Sequence, residues 1–116
     1  MTTKEIALDL VELCREGKNE VAIEKYYSPN IVSIEADGPQ RETVGLEGIA
    51  GKNAWFFNTY EIHGAVTSGP YVHDNAFIVH FNYDVTEKAT GNRFPMIEAA
   101  HYTVEDGKIV RELFFY

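Results

Sequence analysis

From Ala76 to Glu87 the chain alternates: in an extended conformation Phe77, Val79, Phe81, Tyr83 and Val85 fall on one face, and Ile78, His80, Asn82 and Asp84 on the other. A strand with so aromatic a face cannot stand alone, because its edges need partners and that face needs a cover. Partners flank it in sequence. Gly64 to Val72 runs up to the turn residues His73-Asp74-Asn75, and Met96 to Val104 follows a loop containing Gly91-Asn92. Lys108 to Tyr116 closes the series, so the second half of the chain predicts an antiparallel meander.

The last two strands are joined by Glu105-Asp106-Gly107. Three loop residues ending in glycine suit a type I turn followed by a left-handed bulge position. That turn predicts pairing of Val104 with Lys108, Tyr102 with Val110, Ala100 with Glu112, Glu98 with Phe114 and Met96 with Tyr116. Met96, Glu98, Ala100, Tyr102, Val110, Glu112, Phe114 and Tyr116 then share one face. Two carboxylates thus sit among aromatics. Since a core rejects unpaired charge, this face lines a cavity or looks at solvent.

The first half reads as helical. Thr2 and Glu5 have capping-box spacing, Ile6, Leu10, Leu13 and Cys14 recur at helical period, and Gly17 ends the run. Asn19 is suited to cap a second short helix through Tyr26, stopped by Ser28-Pro29. Ile31 to Ala36 reads as a short strand closed by Asp37-Gly38-Pro39, with a polar stretch from Gln40 to Val44. Leu46 to Thr59 reads as a third helix with Ile49, Phe56 and Tyr60 on one side and Trp55 beside it in the core. Helices first and a meander afterwards predict an α+β fold whose curved antiparallel sheet is covered on its inner, concave face by the N-terminal helices.

At 116 residues the chain is expected to form one domain, 1–116, without repeats or linkers. The net charge of −8 and the scattering of ten Lys and Arg make nucleic acid an unfavourable partner. The N-terminal stretch lacks an apolar signal core and no run is long enough to span a membrane, so the expectation is a cytoplasmic protein. Cys14, the single cysteine, falls on the apolar side of the first helix and reads as a buried structural thiol.

The order and spacing of several motifs resemble the nuclear transport factor 2-like superfamily, in particular its SnoaL-like branch. They are Tyr26-Tyr27-Ser28-Pro29-Asn30-Ile31-Val32, Val44-Gly45-Leu46-Glu47-Gly48-Ile49, Trp55, His63-Gly64, Glu105-Asp106-Gly107-Lys108-Ile109 and Phe114-Phe115. The resemblance implies a cone-shaped α+β fold around a largely apolar pocket, with members that are frequently dimers joined through the outer sheet face. That group includes ketosteroid isomerases, polyketide cyclases, dehydratases and non-catalytic modules, so the fold alone does not choose a reaction. Compared with ketosteroid isomerase, Phe77, Val79, Phe81 and Tyr83 would face the pocket, and Glu35 falls near the position of the catalytic base. Leu10 and Ala100 fall where that enzyme keeps its two oxyanion donors. Steroid isomerisation by that mechanism therefore lacks its electrophilic half.

Two readings remain open. In the first, a small apolar, ring-bearing molecule is held by Trp55, Phe77, Val79, Phe81, Phe114 and Tyr116, with His63 at the pocket edge. Glu112 or Glu98 then acts as acid or base, Glu35 is a second candidate, and Tyr83 and Tyr102 donate hydrogen bonds. The reaction class is proton transfer without a cofactor, such as isomerisation, cyclisation or dehydration. In the second, the domain is a non-catalytic ligand-binding or dimerisation module whose acidic residues are structural, with Arg93 or Arg111 bonded to Glu98. A homodimer is expected under both. His63, His73, His80 and His101 lack the spacing of a metal site, and no serine or cysteine lies in a nucleophile motif.

Overall fold

The computed structural model describes all residues from 1 to 116. Its elements run α1 (Thr3–Arg15), α2 (Asn19–Tyr26), β1 (Tyr27–Ile34), β2 (Glu42–Val44), α3 (Gly45–Thr59), β3 (Tyr60–His73), β4 (Ala76–Glu87), β5 (Arg93–Glu105) and β6 (Lys108–Phe115). The six strands form one curved, unclosed sheet in the order β2-β1-β6-β5-β4-β3. No helix is long and apolar enough to cross a membrane.

The α+β class and the order of helices and meander are those expected. The sheet, however, is mixed: β1 lies parallel to β6, while every other pairing is antiparallel. Alternation within Ile31 to Ala36 indicates a strand and carries no information on which distant strand receives it. Strand β1 also begins earlier, at Tyr27, so that Ser28-Pro29 opens a strand instead of a loop. β2, within the expected polar stretch, is a three-residue edge strand too short to show a period. Gly45, at a φ of 84°, turns the chain directly from β2 into α3.

Helix α1 starts on the expected capping box, Thr2 Oγ1 accepting from the Glu5 amide at 3.2 Å and Glu5 Oε1 from the Thr2 amide at 3.0 Å. Its Ile6, Ala7, Leu10 and Val11 are buried against β3 and β4, which completes a core with Ile31, Phe77, Val79, Ala100 and Ile109. The cap of α2 is Lys18 and not Asn19, which is already helical. Trp55 is not in the core. Along α3, Ile49, Lys52 and Phe56 form the inward stripe, and Trp55, one residue off it, is 61% exposed.

The β5–β6 register also differs from the expected one. Glu105 pairs with Lys108, so the turn has two residues, Asp106 and Gly107, both at positive φ (50° and 76°). An Asp-Gly pair suits such a turn, whose twist matches that of the strands it joins. Val104 then faces Ile109, and a bulge moves Thr103 opposite Arg111, so that Tyr102 pairs with Glu112 and Ala100 with Phe114. Turn and bulge each shift the register by one residue. Because side chains repeat every two residues, the combined shift returns Glu98, Ala100, Tyr102, Glu112 and Phe114 to one face, and Ile109, fully buried, takes the place on that face expected for Val110.

Since a Cβ at Gly107 would meet no neighbour within 4 Å, replacing it tests the backbone alone. Gly107→Ala is expected to lower unfolding stability by about 1 kcal/mol with an unchanged denaturant slope. A neutral effect by urea titration would show that the two-residue turn is absent in solution.

Candidate functional site

Glu112 is 4% exposed, and its position follows from the strand pairings. β5 sets Tyr102 beside it, and β1 sets Ser33 beside it on the other side. Burial pushes its carboxyl up, opposed by hydrogen bonds from Tyr27 and Ser33 and by the charge of Lys52. The Tyr27 hydroxyl donates to Oε2, and Ser33 Oγ donates to Oε1 at 2.7 Å. Lys52 Nζ donates to Ser33 Oγ at 2.7 Å, forms an ion pair with Glu35, and lies 4.7 Å from the centre of the Phe114 ring. An ammonium has only donors, so the single Ser33 proton is directed to Glu112.

Glu98, on the same face, has no such partner. Burial pushes its carboxyl up to about 7, helped by Glu35 and Glu112 and opposed by Lys52. The expected arginine partners are engaged elsewhere or face away. Arg93 holds Asp84 through two hydrogen bonds of 2.9 and 2.7 Å, and Arg111 is exposed opposite Thr103. Beside Glu98 on the inner wall, Phe81 stacks on Tyr83 at 5.8 Å, and burial with the Glu98 charge behind it raises the Tyr83 hydroxyl.

A groove of about 390 Å³ opens between the end of α1, the start of α2, the end of α3 and β3. Val21, Phe57, Ile62 and Ala65 make its apolar lining, Asn19 and Thr67 add polar groups, and Tyr83 and Cys14 form its inner wall. The Cys14 thiol is partly buried and pushed up to about 11 by that burial and by the Glu112 charge, so it is protonated and inert at neutral pH.

Among the residues anticipated for ligand contact, Tyr83 lines this groove. Phe77, Val79, Phe81 and Tyr102 are buried in the wall, with Phe77 stacked on Tyr102 at 4.8 Å. Phe114 is half-buried beneath Lys52. Trp55 packs edge-on against Tyr60 on the outer side of α3. His63 is exposed, with Nε2 2.7 Å from Thr86 Oγ1, and Tyr116, 63% exposed, donates to the Asp37 carbonyl at 3.3 Å. Glu35, Glu98 and Glu112 do converge, around Lys52. Sequence reasoning missed Lys52, Ser33 and Tyr27 as members of this group. A lysine one turn beyond Ile49 on an otherwise inward stripe was the available signal for Lys52. No three His, Cys, Asp or Glu side chains converge closely enough to hold a metal ion.

A sequence profile of the SnoaL-like domain matches residues 1–116. Among curated proteins none matches the sequence. The crystal structure of a Mesorhizobium loti protein designated a SnoaL-like polyketide cyclase [carbohydrate phosphatase] superposes with a TM-score of 0.96 at 44% identity, over 100% of both chains. A nuclear transport factor 2-like protein from Burkholderia thailandensis shares the fold at a TM-score of 0.85 and 19% identity, over 99% of this chain and 90% of that one. TerC, crystallised with polyporic acid, shares it at 0.75 and 16%, over 98% and 90%. With a profile match along its whole length and a relative at 44% identity aligned end to end, the chain belongs to the SnoaL-like domain family.

Proposed function

We propose that the protein binds a small apolar, ring-bearing molecule in the groove beside Tyr83 and catalyses cofactor-free proton transfer on it, of the isomerisation, cyclisation or dehydration class. The observation that carries this reading is Glu98, a carboxyl on an aromatic wall with no hydrogen-bonding partner and raised to about 7. At neutral pH such a group is present in both forms, so it both releases and takes up a proton in the working range. Tyr83, kept neutral, is the donor that touches the ligand, and Glu98 exchanges the proton behind it. Glu112 and Glu35, both engaged by donors, hold the arrangement in place. The aromatic and aliphatic lining supports a ring-bearing ligand, and a relative of the same fold was crystallised with polyporic acid.

A second reading, a non-catalytic binding module, is favoured by one fact: neither Glu98 nor Glu112 is among the residues lining the groove. The two separate on one experiment. Thermal-shift screening with ring-bearing hydrophobic compounds should yield ligands that stabilise by about 2.7 kcal/mol at a hundredfold excess over Kd. Ala65→Trp, which fills the groove, should abolish the shift. With a turned-over ligand in hand, Glu98→Gln should keep the shift and lower kcat by roughly a hundredfold or more. An unchanged kcat would end the acid–base assignment.

Stability should also report Glu98. With its folded value near 7 and an ordinary value of 4.5, the folded protein binds the extra proton between those limits, so stability from this group is present below pH 4.5 and is lost as pH rises to 7. Glu98→Gln should therefore be more stable than wild type above pH 7, by on the order of 2 kcal/mol, with the difference vanishing at low pH. Chemical denaturation at pH 4.5 and pH 8 measures it, and equal differences at both would contradict the raised value.

We also infer a homodimer through the outer sheet face, supported by exposed Val66, Tyr71, Ile78, Ile97 and Phe115. Sedimentation at micromolar concentration should give twice the 13.1 kDa chain mass, and Phe115→Lys should shift it toward one; a monomer at that concentration would overturn it.

A further inference from the structure

The inner wall carries three carboxylates and a single cation, and the cation is the part that the acid–base reading leaves without a task. Lys52 reaches inward from α3, with a side chain only 25% exposed. It spends one donor on Ser33 Oγ at 2.7 Å and one on Glu35, over the face of Phe114 at 4.7 Å. Each contact has a consequence for a different acid. Through Ser33, whose hydroxyl proton has no other acceptor, the ammonium fixes a donor on Glu112 Oε1, while Tyr27 supplies the donor on Oε2. Each Glu112 oxygen thus accepts one hydrogen bond from inside the wall, and these bonds favour its charged form against the burial that disfavours it. Through Glu35, the same ammonium holds a carboxylate in place close enough to act on Glu98.

We propose that Lys52 is the positioning residue of the acid–base centre: it holds the Ser33 donor on Glu112 and clamps Glu35, which leaves Glu98 as the carboxyl of this wall without a donor of its own. The inference rests on the proton-transfer reading of Glu98 and adds what sets the working range of that group. The groups facing Glu98 are Glu35 after β1, Lys52 from α3, Tyr83 from β4, Glu112 from β6 and Tyr116 beyond it. Lys52 and Glu35 act on Glu98 with opposite sign, since a cation favours the carboxylate and a second anion disfavours it. A neutral residue that merely packed α3 onto the sheet would oppose neither Glu35 nor the burial of Glu98.

Carbon-13 NMR titration of the glutamate side-chain carboxyls in the full chain tests this, with the Glu98 resonance assigned by its loss in Glu98→Gln. Lys52→Gln removes the charge and keeps a donor for Ser33. It should move the Glu98 midpoint up by about one pH unit, a tenfold gain in proton affinity, while Glu35→Gln should move it down and Lys52→Arg should leave it close to wild type. Should Lys52→Gln not fold, Glu35→Gln and Lys52→Met carry the same opposed comparison. Shifts of the same sign in the two charge-removing variants, or no shift in either, would overturn the positioning role. A wild-type Glu98 midpoint in the ordinary glutamate range would instead overturn the acid–base reading itself, whatever the variants do.

Discussion

Everything in the inner wall is arranged around one expensive group, the Glu112 carboxyl. A carboxylate without partners in an apolar interior costs several kcal/mol and would be selected against or neutralised. Here it is met by two hydroxyls that have no competing acceptors, and one of them is itself held by an ammonium. This requirement explains residues that packing alone would not choose. Ser33 is fully buried on a strand otherwise suited to branched apolar side chains, and Tyr27 sits at the strand start with its hydroxyl aimed inward.

The topology makes that arrangement reachable. The parallel β1–β6 pairing sets Ser33 opposite Glu112, with Tyr27 beside Ile109 on the same strand pair. α3 then lies against β1, which brings Lys52 over the Ser33 hydroxyl and the Phe114 ring. Glu98, one strand further along and opposite Phe81, is largely buried and gains no donor, and this difference in partners separates two carboxyls on one face. Burial raises both carboxyls, and only Glu112 has hydrogen bonds that oppose the rise.

Much of this was legible in the chain before any coordinates. The strand limits of β4 follow from alternation, the start of α1 from Thr2 and Glu5, and the common face of Glu98 and Glu112 from the period of two. That last expectation survived a wrong register because turn and bulge displaced the strand by an even number of residues. What could not be read were relations between distant segments. No local pattern tells Ile31 to Ala36 to lie parallel to the last strand, and no spacing links Lys52 to Ser33 or Ser33 to Glu112. Trp55 was misplaced for a related reason: an aromatic on a mixed helix is assigned by the neighbours it meets, and only the stripe through Ile49, Lys52 and Phe56 shows which side those neighbours occupy.

The parallel pairing of β1 with β6 also has a bearing on how the molecule assembles. Ser33 and Glu112 are 79 residues apart, and Tyr27 and Glu112 are 85 apart. A chain emerging from its N-terminus holds β1 and β2 as a two-stranded ribbon, marginal on its own, until Glu112, 79 residues beyond Ser33, has been made. Contacts of such long range tend to form late and slow the overall rate. The polar triad of Tyr27, Ser33 and Glu112 is therefore also the seam of the fold, and its hydroxyls remain solvated in the nascent chain until the final strand arrives to claim them.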